Sequence, residues 1–168
     1  MKTAGTALAI FIALALQTTL AFSLAGRGAV TDLVLVVVVY VGLVAGPVAG
    51  LLAGSVAGLA QDALAGGIVG VGGLAKSLAG FLAGIVATQF IVVGPVHRFV
   101  VFFLASLLNA GVFVGLYQVI DPRRFSAAWT AVGTQALVNA VVGILAFQVI
   151  EHGPDWWHRQ KMRGALRR

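Results

Sequence analysis

From Gly46 to Gly84 the chain is apolar throughout, with a glycine or alanine at nearly every helical turn and only two ionisable residues, Asp62 and Lys76. In hydrocarbon, small residues four apart let helix backbones approach closely, and a charge is tolerated only where a partner, water or protein surrounds it. A segment of this kind folds as closely packed membrane helices and marks the working heart of the molecule. The whole chain agrees: 60% of residues are hydrophobic, 10% are charged, 22 of 168 are glycine, and the mean hydropathy is +1.04. That leaves too little polar surface to wrap a soluble domain. At about 20 residues for each crossing of a ~30 Å core, there is room for about five or six spans and no sizeable soluble domain.

The breakers divide the apolar runs. Gly26 to Gly28, Gly46-Pro47, Gly66-Gly67, Gly94-Pro95 and Asp121-Pro122 fall where helices should stop. They predict helices over 4–24, 30–45, 48–62, 74–93, 99–120 and 127–150. The expected architecture is an all-α integral membrane protein: one six-helix transmembrane domain over 1–150 and a basic cytoplasmic tail over 151–168. Lys2 before an apolar run, with Ser23-Leu24-Ala25 after it, has the outline of a signal peptide. With Met1 at its head, the segment is expected to be kept as an anchor or a true span.

Lysine and arginine set the orientation. With both ends inside, the cytoplasmic side collects Lys2, Arg98, Arg159, Lys161, Arg163, Arg167 and Arg168, against Arg27, Arg123 and Arg124 outside. That bias favours two cytoplasmic termini. In the tail, Trp156 and Trp157 are followed by Arg159, Lys161 and Arg163. Indole rings favour the headgroup layer and basic side chains favour anionic lipid, so these residues read as a membrane-interface anchor. Nucleic-acid binding, the other use of a basic tail, lacks both length and a fold here.

Gly46, Gly50, Gly54 and Gly58 recur at i, i+4 on helix 3, with Ala49, Ala53 and Ala57 on the neighbouring row. Two adjacent small rows leave one face almost bare, so helix 3 is expected to be a central packing element or a partner interface. Gly80 and Gly84 repeat the device on helix 4. The connection between the two helices, rich in glycine from Gly66 to Gly73, would suit a re-entrant turn beside a cavity. Asp62 and Lys76, with Gln61 beside them, flank it as candidate pocket or structural residues. Three readings stand for the charges: a mutual ion pair across the turn, contact with a ligand, or snorkelling to the interface.

Other polar residues within the spans are few: Gln17, Asp32, Gln89, Asn109, Gln135 and Asn139. Interhelical hydrogen bonds of roughly 0.6–2 kcal/mol account for them without a transport path. Nothing assembles into an enzyme. The absence of cysteine excludes thiol catalysis and thiolate metal sites, and His97, His152 and His158 lie at helix ends or in the tail. No histidine stands on the outer side to activate Ser77, and His152, Asp155 and His158 lie in an exposed tail interrupted by Pro154. No catalytic residue, cofactor or metal is expected.

Taken together, Gly46-Pro47 through Gly54, Gly58-Leu59-Ala60-Gln61-Asp62, Gly66-Gly67-Ile68-Val69-Gly70 and Leu74-Ala75-Lys76-Ser77-Leu78-Ala79-Gly80-Phe81-Leu82-Ala83-Gly84 resemble the MreD family of bacterial rod shape-determining membrane proteins. The resemblance covers essentially the whole chain, and its specific part is the middle third. It implies a non-catalytic inner-membrane component of the cell-elongation (rod) complex. The implied partners are MreC and, through it, the actin-like MreB filament and the peptidoglycan synthases, with self-association left open. It also implies a fold similar to the substrate-binding subunits of energy-coupling-factor (ECF) transporters, six helices around an outward pocket. A vitamin-binding transporter subunit is therefore the rival reading, and Ala9 and Ala13 match the Ala-x-x-x-Ala docking motif of such subunits. The scarcity of polar and aromatic groups near the outer ends argues against a vitamin site.

Overall fold

The computed structural model describes the backbone of residues 2–23, 31–90, 94–120 and 129–165, and side chains within 8–19, 31–90, 94–120 and 130–150. Its described residues form six helices and no strands: α1 (Lys2–Ser23), α2 (Leu33–Ala45), α3 (Pro47–Ala65), α4 (Val71–Gln89), α5 (Pro95–Ile120) and α6 (Trp129–Ala165). Four of them, α3, α4, α5 and α6 over Thr130–Ile150, are long and apolar enough to cross a membrane. The chain is an integral membrane protein built as an all-α bundle.

The hub is α2. Its sequence, Leu-Val-Leu-Val-Val-Val-Val-Tyr-Val, is apolar on every side, and a helix of that kind belongs in the interior. It packs against each of the other five helices. One core lies on either side of it. Val34, Val38 and Val41 meet Ile10 and Ala13 of α1 and Ala53 and Ala57 of α3. Leu35, Val36 and Val39 meet Ala79 and Ala83 of α4, Phe102 and Ala105 of α5, and Ala140 of α6. α3 packs chiefly on α4, in the most extensive helix pair of the bundle, and α2 is the helix that touches all the others.

The two fully described connections are short. Gly46 alone joins α2 to α3, and its φ of 92° is a conformation that favours glycine. Pro47 then opens α3 at a position where its missing N–H costs nothing. Gly66 closes α3 with φ 65° and Gly70 precedes α4 with φ 108°, so residues 66–70 reverse the chain as a tight turn. The longer re-entrant passage expected there does not form: α3 continues past Asp62 to Ala65 and α4 begins at Val71. Likewise α6 continues through Pro154 to Ala165, where sequence reading ended the helix near 150. The anchor residues Trp156, Trp157, Arg159, Lys161 and Arg163 lie outside the described side chains.

Candidate functional site

The glycine rows draw α2, α3 and α4 together almost to backbone contact. Gly50 faces Gly80, Gly54 faces Lys76 and Ser77, and Gly58 faces Gly72 and Gly73, so α3 and α4 run antiparallel along one seam. A Cβ on Gly54 would stand 2.5 Å from the Lys76 carbonyl, and one on Gly58 would stand 2.5 Å from the Gly73 Cα. Gly84 abuts Pro47, and Gly42 of α2 enters the same seam against Gly80. Residues 50, 54, 58, 80 and 84 are all buried. These faces are closed within the molecule, so they offer no surface to a partner. Gly46 stands at the end of the seam: a Cβ on Gly84 would meet its carbonyl carbon at 2.7 Å, while its own Cβ position is open and its φ of 92° serves the α2–α3 connection.

With side chains excluded from the seam, the charges beside it lie where no lipid reaches. Lys76 is 3% exposed and Asp62 8%, which rules out snorkelling for both. They do not pair with each other. Lys76 Nζ lies 2.8 Å from Oδ2 of Asp32, at the N-cap of α2. The reason is directional. Gly42 lies beside Gly80 and Gly84 while Asp32 lies beside Lys76, so α2 and α4 run parallel and the N-terminus of α2 reaches Lys76.

Asp62 is already occupied. Its Oδ2 accepts hydrogen bonds from the N–H groups of Gly70 (2.9 Å), Gly72 (2.9 Å) and Gly73 (3.3 Å). From the last turn of α3 it satisfies donors that open α4, where the helix dipole also favours a negative charge. A Cβ at Gly72 would collide with Asp62 Oδ1, so a side chain there would have to displace the carboxylate from these N–H groups. The partly buried Gln61 carries a buried Oε1 with no hydrogen-bond partner among the described residues, so Lys76 does not donate to it.

Asp32 is the centre of a wider polar junction. Its Oδ1 accepts from Leu35 N at 3.0 Å, capping α2, and its own N–H donates to Asn139 Oδ1 at 2.8 Å. Asn139 Nδ2 donates in turn to Ser106 Oγ at 3.2 Å. On the opposite flank Val34 N donates to Gln17 Oε1 at 3.2 Å. One junction thus links α1, α2, α4, α5 and α6. Sequence reading named Gln17, Asp32 and Asn139 only as scattered hydrogen-bonding residues. The available signal was that Lys76 has two acids to choose from within the spans, and one of them opens an all-apolar helix.

At the same end of the bundle Tyr117 Oη of α5 accepts from Ile68 N at 3.1 Å, fastening the α3–α4 turn. At the opposite end the Arg98 guanidinium stacks 3.7 Å above the Phe147 ring, whose edge meets Tyr40. Chemically, the junction orients and neutralises charges within the bundle. It presents no nucleophile with an activating base.

The family model described as rod shape-determining protein MreD matches residues 2–151. Nothing matches the chain among curated proteins or among solved structures. With the match spanning nearly all of the described bundle, this membrane protein belongs to the MreD family of rod shape-determining proteins.

Proposed function

We propose that the chain is a non-catalytic scaffold of the rod complex, set in the bacterial inner membrane with both termini in the cytoplasm. In that setting it binds MreC and thereby helps place lateral-wall peptidoglycan synthesis. The observation that carries this reading is the use of its polar side chains: the Asp32–Lys76 pair, Asn139, Ser106 and Asp62 are turned on one another and on helix ends. A protein that works by presenting a rigid intramembrane shape needs charges of this kind only to fix its own helices. In the proposed orientation the polar junction and the α3–α4 turn lie at the periplasmic end, and Arg98 with Phe147 lies at the cytoplasmic end.

With the glycine seam closed, a partner's single span has to meet outward apolar faces, such as Val48, Leu52 and Val56 of α3 or Leu8, Phe11 and Ile12 of α1. The vitamin-binding alternative loses support, because Ala13 of its docking motif is buried against α2. Co-purification from detergent-solubilised membranes tests the reading. MreC should be recovered with the tagged chain, and cells depleted of the chain should become round. Recovery of a transporter ATPase pair in place of MreC would replace it with the transport reading. The chain contains no cysteine, so single cysteines placed at Gly67 and His97 report orientation cleanly. Labelling by an impermeant maleimide from the periplasm is expected at position 67 alone.

A further inference from the structure

We infer that the bundle binds a water molecule between the Lys76 ammonium and the side-chain amide of Asn109, within the span of α4 and α5. Five of the six buried polar side chains among the described residues, Asp32, Lys76, Ser106, Asn109 and Asn139, belong to the helices that meet at the polar junction, Asp62 being the other. Four of the five have partners there. Asn109, only 9% exposed, does not: its Oδ1 is buried with no hydrogen-bond partner among the described residues.

Lys76 has the complementary surplus. An ammonium carries three N–H donors, and among the described residues its one partner is Asp32 Oδ2.

Helical register brings the two together. Tyr117, near the end of α5, touches the turn before α4, so the two helices run antiparallel. Ala79 and Ala105 share one core. One turn back along α4 from Ala79 is Lys76, and one turn forward along α5 from Ala105 is Asn109. Both steps lead toward the same end of the bundle. The walls around that level are small: Ala75, Ala79, Ala105 and Ala136 are all buried.

The chemistry of the ligand follows. Lys76 and Asp32 already cancel, so an ion would bring an unpaired charge into a low-dielectric interior. The occupant must be uncharged, accept from an ammonium N–H and donate to an amide oxygen. Water meets all three conditions, and a buried water ordinarily makes about three hydrogen bonds to groups that would otherwise be unsatisfied. The site is part of how a lysine is held inside a membrane bundle, and it holds whether or not MreC is the partner.

Water-edited solid-state NMR of the full chain in lipid bilayers tests this directly. The sequence has two asparagines, so selective labelling gives two side-chain amide signals. The Asn109 signal should build up from water several-fold faster than that of Asn139, whose amide is bonded to Asp32 N–H and Ser106. Build-up equal to or slower than that of Asn139 overturns the inference. A second test asks for proximity alone. Asp32→Asn should lower the melting temperature in detergent, and adding Asn109→Asp should recover at least half of the loss by supplying Lys76 with a new carboxylate. A double variant that melts no higher than Asp32→Asn places Asn109 out of reach of Lys76 and overturns the site.

Discussion

Lys76 of α4 and Asp32 of α2 form an ion pair of 2.8 Å whose side chains are 4% and 7% exposed. The pair joins two helices that run parallel, and it does so where α2 begins, so one carboxylate both caps a helix and neutralises a lysine. Because Asp32 also donates its backbone N–H to Asn139, the pair fixes α6 against the same point. Buried pairs contribute little net stability when formed, but losing one member leaves an uncompensated charge and costs about 3–5 kcal/mol. The pair therefore ties the start of the hub helix to α4.

The glycine seam should be intolerant of any side chain. Gly54→Leu and Gly80→Leu each force α3 and α4 apart, since a Cβ at either position would meet backbone at 2.5 Å. Overpacking a well-fitted contact costs roughly 1–3 kcal/mol, and these collisions with backbone belong at or above the top of that range. Gly111→Leu on α5 is the control, because a Cβ there meets nothing. Thermal unfolding in detergent should separate the two seam variants from Gly111→Leu by many degrees. Equal melting of all three would show that the seam is not closed.

Asp62 should behave as a helix cap and not as a charge partner. Asp62→Ala strips three N–H groups of their acceptor and should destabilise the chain by about 2 kcal/mol. Asp62→Asn, which keeps an acceptor oxygen, should lose about half as much. Hydrogen exchange read at Gly70, Gly72 and Gly73 should accelerate in the alanine variant. Unchanged protection there, with faster exchange around Lys76, would contradict the assignment.

Tyr117→Phe removes one hydrogen bond from the α3–α4 turn and should cost about 1 kcal/mol or less. Its signature is local. The Ile68 amide should exchange faster while the Asp62-bound amides of Gly72 and Gly73 keep their protection. Loss of protection at all three would mean that the turn depends on α5 more than on its own cap.

Much of the bundle is legible in residue order, because glycine, proline and apolar length act locally. Gly46-Pro47 and Gly94-Pro95 mark real helix boundaries, and the rows at Gly50, Gly54, Gly58, Gly80 and Gly84 lie in a real seam. Asp32–Lys76 was not legible, because pairing depends on which helices run side by side, and Asp62 stands nearer to Lys76 in sequence. The decisive fact was the demand of the α4 N-terminus: its open N–H groups claim Asp62, and Asp32 is left for the lysine. Pro154 misled in the other direction, as a local breaker inside a helix that runs on to Ala165.

The most direct test is a pair of double-mutant cycles on unfolding free energy in detergent, Asp32→Asn with Lys76→Met and Asp62→Asn with Lys76→Met. The first should show coupling of about 2 kcal/mol or more, because removing both members of a buried pair relieves the charge that either single variant strands. The second should be additive within about 0.5 kcal/mol. Additivity in the first cycle together with coupling in the second would contradict the account, since Lys76 would then answer to Asp62 and the hub helix would have lost its fixed point.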